Sequence, residues 1–417
     1  MQNLKNFIKQ RFINEYGNLL RDEMPREKEK ITNILNQIIE KMRNNKEIEL
    51  SQEEKNELLE DLANDFLAMG CLTELMKDPE VTEIMVNGHK KIFVERGGKM
   101  ELANIKFEDE TQLMHLIHNM LAPTRRRVDE SYPYTDVMLG DNSRVNIVLR
   151  QISLEGPLIT IRKFMQGMQK IEDLTTRDTI SEQMGRFLIA AIKAKLNVIF
   201  AGATGDGKTT TLNILSNYIA PSERIITIED AAELHLSQEH VVRLEARPPN
   251  IEGKGEISIR DLFKNSMRMR PNRIILGEVR GAEALDLLQS ISSGHSGSLS
   301  VIHARSPRDV VSRLETMIMM FGATMAAEIV RRQISGSIDL LIQHEQLSDG
   351  SRKITHIAAI TDYKDKDIIV EDLFSFEQEN IDSGGKVIGK FVCSGIKPAR
   401  IQEKFRKHNL SLDDYIK

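Results

Sequence analysis

The run Gly202-Ala203-Thr204-Gly205-Asp206-Gly207-Lys208-Thr209 fits the spacing G-x-x-x-x-G-K-[ST]. The apolar stretch Val198-Ile199-Phe200 precedes it, and Thr210-Thr211-Leu212-Asn213-Ile214-Leu215 reads as a helix after it. That strand–loop–helix context is what the pattern needs to bind phosphate. The glycines let the backbone wrap an anion with its N–H groups, and the helix N-terminus adds a favourable dipole. Lys208 is placed to reach the β- and γ-phosphates, and the Thr209 hydroxyl to hold Mg²⁺, so ATP with Mg²⁺ is the expected ligand. Residues 202–210 form the expected nucleotide-binding segment. Asp206 would weaken affinity beside a polyphosphate unless its carboxylate points to solvent.

A binding loop becomes a hydrolase when an acid can orient water. Ile274-Ile275-Leu276-Gly277-Glu278 reads as a buried strand ending in a carboxylate, which makes Glu278 the candidate for polarising the attacking water. The plain alternative is a surface glutamate at a strand end. Glu229-Asp230, with Glu233, follows the apolar strand Ile225-Ile226-Thr227-Ile228. Carboxylates there either bind Mg²⁺ through water or cap the next helix. His303 closes a further apolar strand, Leu299-Ser300-Val301-Ile302, where it could contact the γ-phosphate or be a satisfied structural histidine. His295 and His303 are not at zinc-ligand spacing, and no cysteine is near.

These residues need a scaffold. Near-continuous apolar strands, ending with Leu340-Leu341-Ile342, alternate with helical segments after residue 181 and predict a mostly parallel sheet covered on both faces. Before it, residues 68–165 read as an α+β domain. Glu83-Ile84-Met85-Val86 and Lys91-Ile92-Phe93-Val94-Glu95 flank Asn87-Gly88, and Gly97-Gly98 makes the next turn. A helix fits Gln112 to Leu121, and strands fit Val145 to Leu149 and Leu158 to Arg162. Residues 166–181 are polar and read as a connection. Residues 1–67 read as helices: Ile31, Ile34, Leu35, Ile38, Ile39 and Met42 share one face. A Ser51–Glu54 capping box precedes a second apolar face of Leu58, Leu59, Leu62, Phe66 and Leu67.

The composition narrows the class. At 417 residues, 40% hydrophobic and 29% charged, the chain is ordinary globular protein of two or three domains. A net charge of -5 argues against a general nucleic-acid binder. Cys71 and Cys393 make neither a disulfide framework nor a four-thiolate zinc site, so a reducing compartment is expected. The start Met1-Gln2-Asn3-Leu4-Lys5 lacks an apolar signal core, and no apolar stretch reaches the length of a membrane span. Work at a membrane would therefore go through partners.

Taken in order, the motifs resemble one family: the type II/type IV secretion-system ATPases, in particular the CpaF branch that drives tight-adherence pili. The resemblance runs from about Leu72 to Ala399. It includes Val81-Thr82-Glu83-Ile84-Met85-Val86-Asn87-Gly88, Arg127-Val128-Asp129-Glu130-Ser131, Ser143-Arg144-Val145-Asn146 and Thr160-Ile161-Arg162-Lys163. The Walker A loop follows. Glu229-Asp230-Ala231-Ala232-Glu233 is similar to the family's Asp box, Gly277-Glu278-Val279-Arg280 to its Walker B, and Gly294 to Ala304 to its His box.

The resemblance implies a PAS-like N-terminal domain and a RecA-like P-loop domain (residues 182–417), with ATP and Mg²⁺ between them. It implies a cytoplasmic homo-hexamer, peripheral at the inner face of the membrane, that powers pilus assembly or secretion through a polytopic platform protein. It raises His303 to a nucleotide sensor and carries over Arg144 and Arg162, with Arg127 a weaker candidate, as arginines facing the phosphates. No nucleic-acid partner is expected. Two other functions stay open: a nucleotide-gated scaffold without turnover, and a conjugative ATPase for nucleic-acid transfer. The C-x-x-C zinc motif of the general-secretion branch is absent. Gly322-Ala323-Thr324-Met325 stands where many CpaF-like chains carry Leu-Pro. Met317, Met319 and Met320 read as core packing, or as a partner surface.

Overall fold

The computed structural model describes residues 28–45, 69–122, 126–164, 170–247, 254–321 and 325–417, with isolated positions among residues 4–62 and at 124, 168 and 249. Phe66, Leu67, Gln166 and residues 322–324, which entered the sequence reading, lie outside the described residues. The chain divides into two compact units, Met1–Met165 and Gln166–Lys417.

In the first unit, helix α1 (Lys28–Asn44) turns Leu35, Ile38, Ile39 and Met42 onto one face. That face packs on Leu58, Leu59 and Leu62 with Ile8 and Phe12, as the helical spacing requires. The capping box is formed: the Glu54 carboxylate accepts from the Ser51 N–H at 2.9 Å, and the Ser51 hydroxyl oxygen accepts from the Glu54 N–H at 3.2 Å.

A short helix α2 (Thr73–Lys77) then leads into a six-stranded antiparallel sheet. Its strands are β1 (Val81–Asn87), β2 (Lys91–Arg96), β3 (Lys99–Leu102), β4 (Tyr134–Met138), β5 (Arg144–Val148) and β6 (Leu158–Arg162). They lie in the order β3-β2-β1-β6-β5-β4. Helix α3 (Glu110–Leu121), capped by the Asp109 carboxylate on the Gln112 N–H, buries Leu113, Leu116, Ile117 and Met120. Alternate strand residues Ile84, Val86, Ile92, Val145, Ile147, Ile159 and Ile161 complete that core. Gly88, at φ 63°, is required at its turn: a Cβ there would lie 2.4 Å from the Glu155 carbonyl oxygen.

The second unit opens with α4 (Ile171–Thr176), inside the stretch read as a connection, whose Ile171 and Leu174 are buried. Helix α5 (Glu182–Lys193) follows, capped by the Ser181 hydroxyl on the Met184 N–H. The parallel part of the sheet comprises β7 (Val198–Gly202), β8 (Ile225–Glu229), β9 (Val241–Glu245), β10 (Arg273–Leu276), β11 (Leu299–His303) and β12 (Leu340–Gln346). Antiparallel β13 (Arg352–Lys364), β14 (Asp367–Ile381) and β15 (Val387–Cys393) extend one edge, giving the order β15-β14-β13-β12-β7-β11-β10-β8-β9.

Successive β7 residues serve opposite cores. Val198 and Phe200 face a cluster containing Phe187, Leu212, Phe374 and Phe405. Ile199 and Ala201 face Ile228, Leu276, Leu341 and the residues of the second layer. A strand buried on both faces has to be apolar throughout, which is why periodicity two is absent here. The layers are α6 (Lys208–Ser216), α7 (Ile259–Ser266), α8 (Glu283–Ser292), α9 (Pro307–Phe321), α10 (Ala327–Ser337) and α11 (Ala399–Lys407). Of the methionine run, Met317 is buried in the second core, whereas Met319 and Met320 are exposed. No helix among the described residues is long and apolar enough to cross a membrane.

Candidate functional site

The carboxyl ends of β7, β8, β10 and β11 bring Lys208, Glu229, Glu278 and His303 to one edge of the sheet. In parallel α/β sheets this is the edge where ligands bind, because the loops there are free of the sheet and helix N-termini point at it. β7 ends at Gly202, and Gly205 (φ 87°) and Gly207 (φ 94°) turn the backbone through conformations that side chains disfavour. Helix α6 starts at Lys208, whose side chain is buried although it is a lysine, and whose Nζ donates to the Ala203 carbonyl. Ala203 and Thr204 are exposed, while Thr209 and Thr210 are half-buried in the first turn of α6.

Asp206 takes an orientation that the sequence left open. Its carboxylate does not point to solvent: it is buried and accepts the Ala203 N–H at 2.5 Å. A Cβ on Gly202 would meet that carboxylate at 2.9 Å and the His344 carbonyl oxygen at 2.6 Å, so glycine is obligatory where β7 ends. The acid tucks beneath the loop and ties its first peptide.

Two carboxylates have contrasting surroundings. Glu229 is 2% exposed; its Oε2 accepts the Glu233 and Leu234 N–H groups at 2.7 and 2.8 Å. Its Oε1 is buried with no hydrogen-bond partner among the described residues. No helix follows β8 for Glu229 to cap: one oxygen anchors the loop at Glu233 and Leu234 that leads to β9, and the other has no such bond. Burial pushes this carboxyl up to about 7 against the pull of those two amides. Gly277 permits the packing: a Cβ there would come within 2.8 Å of the Glu229 Cγ.

Glu278 is more open. Its Oε2 accepts from Arg280 Nη2 at 2.6 Å, and its Oε1 lies 3.2 Å from His303 Nε2. His303 also bonds the backbone of Gly202, so its ring spans the phosphate loop and the acid of the neighbouring strand. Burial, then the Lys208 ammonium, hold His303 below its ordinary value although Glu278 pulls the other way. The imidazole is accordingly neutral near pH 7.

The first unit pairs two of the singled-out arginines. Arg144 on β5 stands directly opposite Arg162 on β6. Each has a loose acidic neighbour: Asp136 at 3.8 Å for Arg144, and Glu83 at 4.0 Å for Arg162. Arg127 pairs locally with Asp129 at 3.5 Å.

Several neighbours escaped the sequence reading. Arg280 holds Glu278 and also reaches Asp230 at 3.5 Å; its place in Gly277-Glu278-Val279-Arg280 was the available signal. Buried Glu283 accepts the Arg280 and Gly281 N–H groups, fixing the loop behind Glu278. His344, on β12, is fully buried, its Nε2 2.9 Å from the Thr211 hydroxyl, and burial pushes it down to about 4. Arg352 donates to the Gly205 carbonyl at 2.7 Å. Nothing local to these last two residues announces either contact.

A glycine loop of the phosphate-binding pattern between a central parallel strand and a helix, with the acidic ends of β8 and β10 along the same edge, defines a P-loop α/β protein of RecA-like architecture. The particular family is the one described as type II/IV secretion system protein: it matches residues 67–366, and the chain belongs to it. A putative conjugal transfer protein of Mycobacterium tuberculosis is 31% identical over 305 residues, 72% of this chain and 86% of the relative. The type IV secretion system protein VirB11 of Brucella suis is 28% identical over 319 residues, 68% of this chain and 86% of that protein. Among solved structures, the pilus retraction motor PilT with bound ADP shares the fold at a TM-score of 0.52 and 16% identity, over 81% of this chain and 86% of that one.

Proposed function

We propose that this chain is the ATP-hydrolysing motor of a pilus-assembly or secretion machine of the tight-adherence, CpaF-like type. In this reading it works as a homo-hexameric ring at the cytoplasmic face of the membrane, docked on a polytopic platform protein. We read residues 1–67 as a helical region, 68–165 as the PAS-like domain, 166–181, which carries α4, as the connection and 182–417 as the motor domain. One observation carries the reading. An anion-binding loop meets two carboxylates in opposite settings, Glu278 open and gripped by Arg280 and His303, and Glu229 buried with one oxygen unpartnered. A scaffold that only bound nucleotide would need neither.

The amides of residues 202–210 and the Lys208 ammonium hold the β- and γ-phosphates. Glu278 orients the attacking water and accepts its proton, while Arg280, bonded to its Oε2, keeps the acid aimed. His303, touching Gly202 and Glu278, reports whether the γ-phosphate is present. The residues also fit Mg²⁺. The Thr209 hydroxyl and, through water, the unpartnered Glu229 oxygen are hard donors suited to an ion shared with phosphates. When bound, that ion would neutralise phosphate charge.

Arg144 and Arg162 would close on the triphosphate from the first unit of the same or a neighbouring subunit. Like charges directly opposite across strands are unfavourable, and an anion bound against them relieves that repulsion. Arg144→Gln and Arg162→Gln are each expected to lower kcat about tenfold with little change in ADP affinity. Stopped-flow and steady-state phosphate assays read both quantities.

The deciding experiment measures Mg²⁺-dependent phosphate release by the purified chain with candidate platform proteins from the same cell. Acceleration by a pilus platform supports the tight-adherence reading, and binding without turnover supports a scaffold. A conjugative reading is favoured by the name of the mycobacterial relative. Stimulation by a conjugation platform or by DNA, and not by a pilus platform, would select it.

A further inference from the structure

The turn between β12 and β13 is a built element set against the phosphate loop. Leu347 N–H bonds the Ser351 carbonyl and Gly350 N–H bonds the Leu347 carbonyl, closing the turn. One Asp349 oxygen accepts the Ser351 N–H and hydroxyl, and the other accepts the Val387 N–H at 2.9 Å, tying the turn to β15. The first residue beyond it is Arg352. Its Nε donates to the Gly205 carbonyl, and its Cδ passes 3.8 Å from where a Gly207 Cβ would stand, so the stem lies along the loop. Beneath, His344 holds Thr211 in the first turns of α6 and contacts the Ala201 carbonyl at 3.3 Å.

The peptide unit is planar and trans, so its C=O and the N–H of the next residue point in opposite directions. A grip on the Gly205 carbonyl from outside therefore turns the Asp206 N–H inward, where it faces the Ala203 carbonyl at 3.4 Å. Gly205 and Gly207 have more backbone freedom than any other residue type, and that freedom must be surrendered when phosphate binds. A cation holding the loop before binding lowers this cost.

We propose that Arg352 is a positioning residue of the phosphate loop, presetting the Asp206 amide through the Gly205 carbonyl and so acting on nucleotide affinity rather than on bond cleavage. The inference rests on reading residues 202–210 as the nucleotide site.

The test uses the full chain with a fluorescent ADP analogue and Mg²⁺, alongside steady-state ATP hydrolysis. Arg352→Ala is expected to raise the analogue's Kd and the KM for ATP about tenfold. Its kcat should change less than about twofold, and its unliganded Tm should stay near wild type. Arg352→Lys should recover part of the affinity, because an ammonium can still donate to the carbonyl although without the planar fork. An unchanged Kd in Arg352→Ala overturns the proposal while leaving the site reading intact. A parallel fall in kcat, affinity and Tm also overturns it, since it marks general loss of structure. If Arg352→Ala fails to fold, Arg352→Lys and Arg352→Gln carry the same comparison. Lys208→Ala is the control: binding as tight as wild type in that variant removes the site reading itself.

Discussion

Glu278→Gln is expected to lower ATP turnover about a thousandfold while ATP affinity stays within a few-fold of wild type. The amide keeps the size of the side chain and can still accept from Arg280, so the loop held by Glu283 is undisturbed. It cannot take a proton from water, and it leaves the Arg280 guanidinium with a weaker partner. Lys208→Ala gives the complementary result: binding itself is lost, because the cation that meets the phosphates is gone. Single-turnover phosphate release with an independent binding measurement separates the two. Wild-type turnover in both variants would end the assignment.

The second large effect is at Glu229. Glu229→Gln is expected to lower turnover roughly a hundredfold, and at the same time to stabilise the nucleotide-free, Mg²⁺-free protein at alkaline pH. The sign follows from burial. The folded carboxyl holds its proton up to about 7, whereas the unfolded one releases it near 4.5. Between those values the folded state binds more protons, so stability is greatest below the lower value and falls as pH rises through the upper one. The ionised form at pH 8 costs roughly 3 kcal/mol, which an uncharged amide avoids. Thermal melts in EDTA should therefore show Glu229→Gln above wild type at pH 8 and level with it near pH 4. A constant gap across that range would mean that burial does not govern this carboxyl.

Much of the molecule was legible because its signals are local. The strand–loop–helix around Lys208 needs only contiguous residues, and the strands at Ile225, Ile274, Leu299 and Leu340 are apolar because both their faces are covered. The illegible parts have mixed or distant causes. β9 is half-exposed at the sheet edge and carries no clear pattern. β13 to β15 alternate irregularly, since bulges at Ile357/Ala358 and Gln378/Asn380 shift which residues face inward. The polar stretch before residue 181 hides a helix because Ile171 and Leu174 alone do its packing. Within the site, the acids and His303 were readable as strand endings. Asp206 bends back to its own loop at Ala203, which residue type alone does not announce, and the contacts of His344 and Arg352 depend on pairing β12 with β7, residues more than a hundred positions apart.

That pairing has a consequence for how the protein is made. β7 is bracketed by β11 and β12, which leave the ribosome only after roughly a hundred further residues have been added. Until then the strand bearing the glycine loop has an unpaired backbone on each side, with only the helices α5 and α6 to pack on one of its faces. Nascent chains halted before Leu340 should therefore be blind to nucleotide, and a growing polypeptide in this state offers chaperones an open, apolar ribbon.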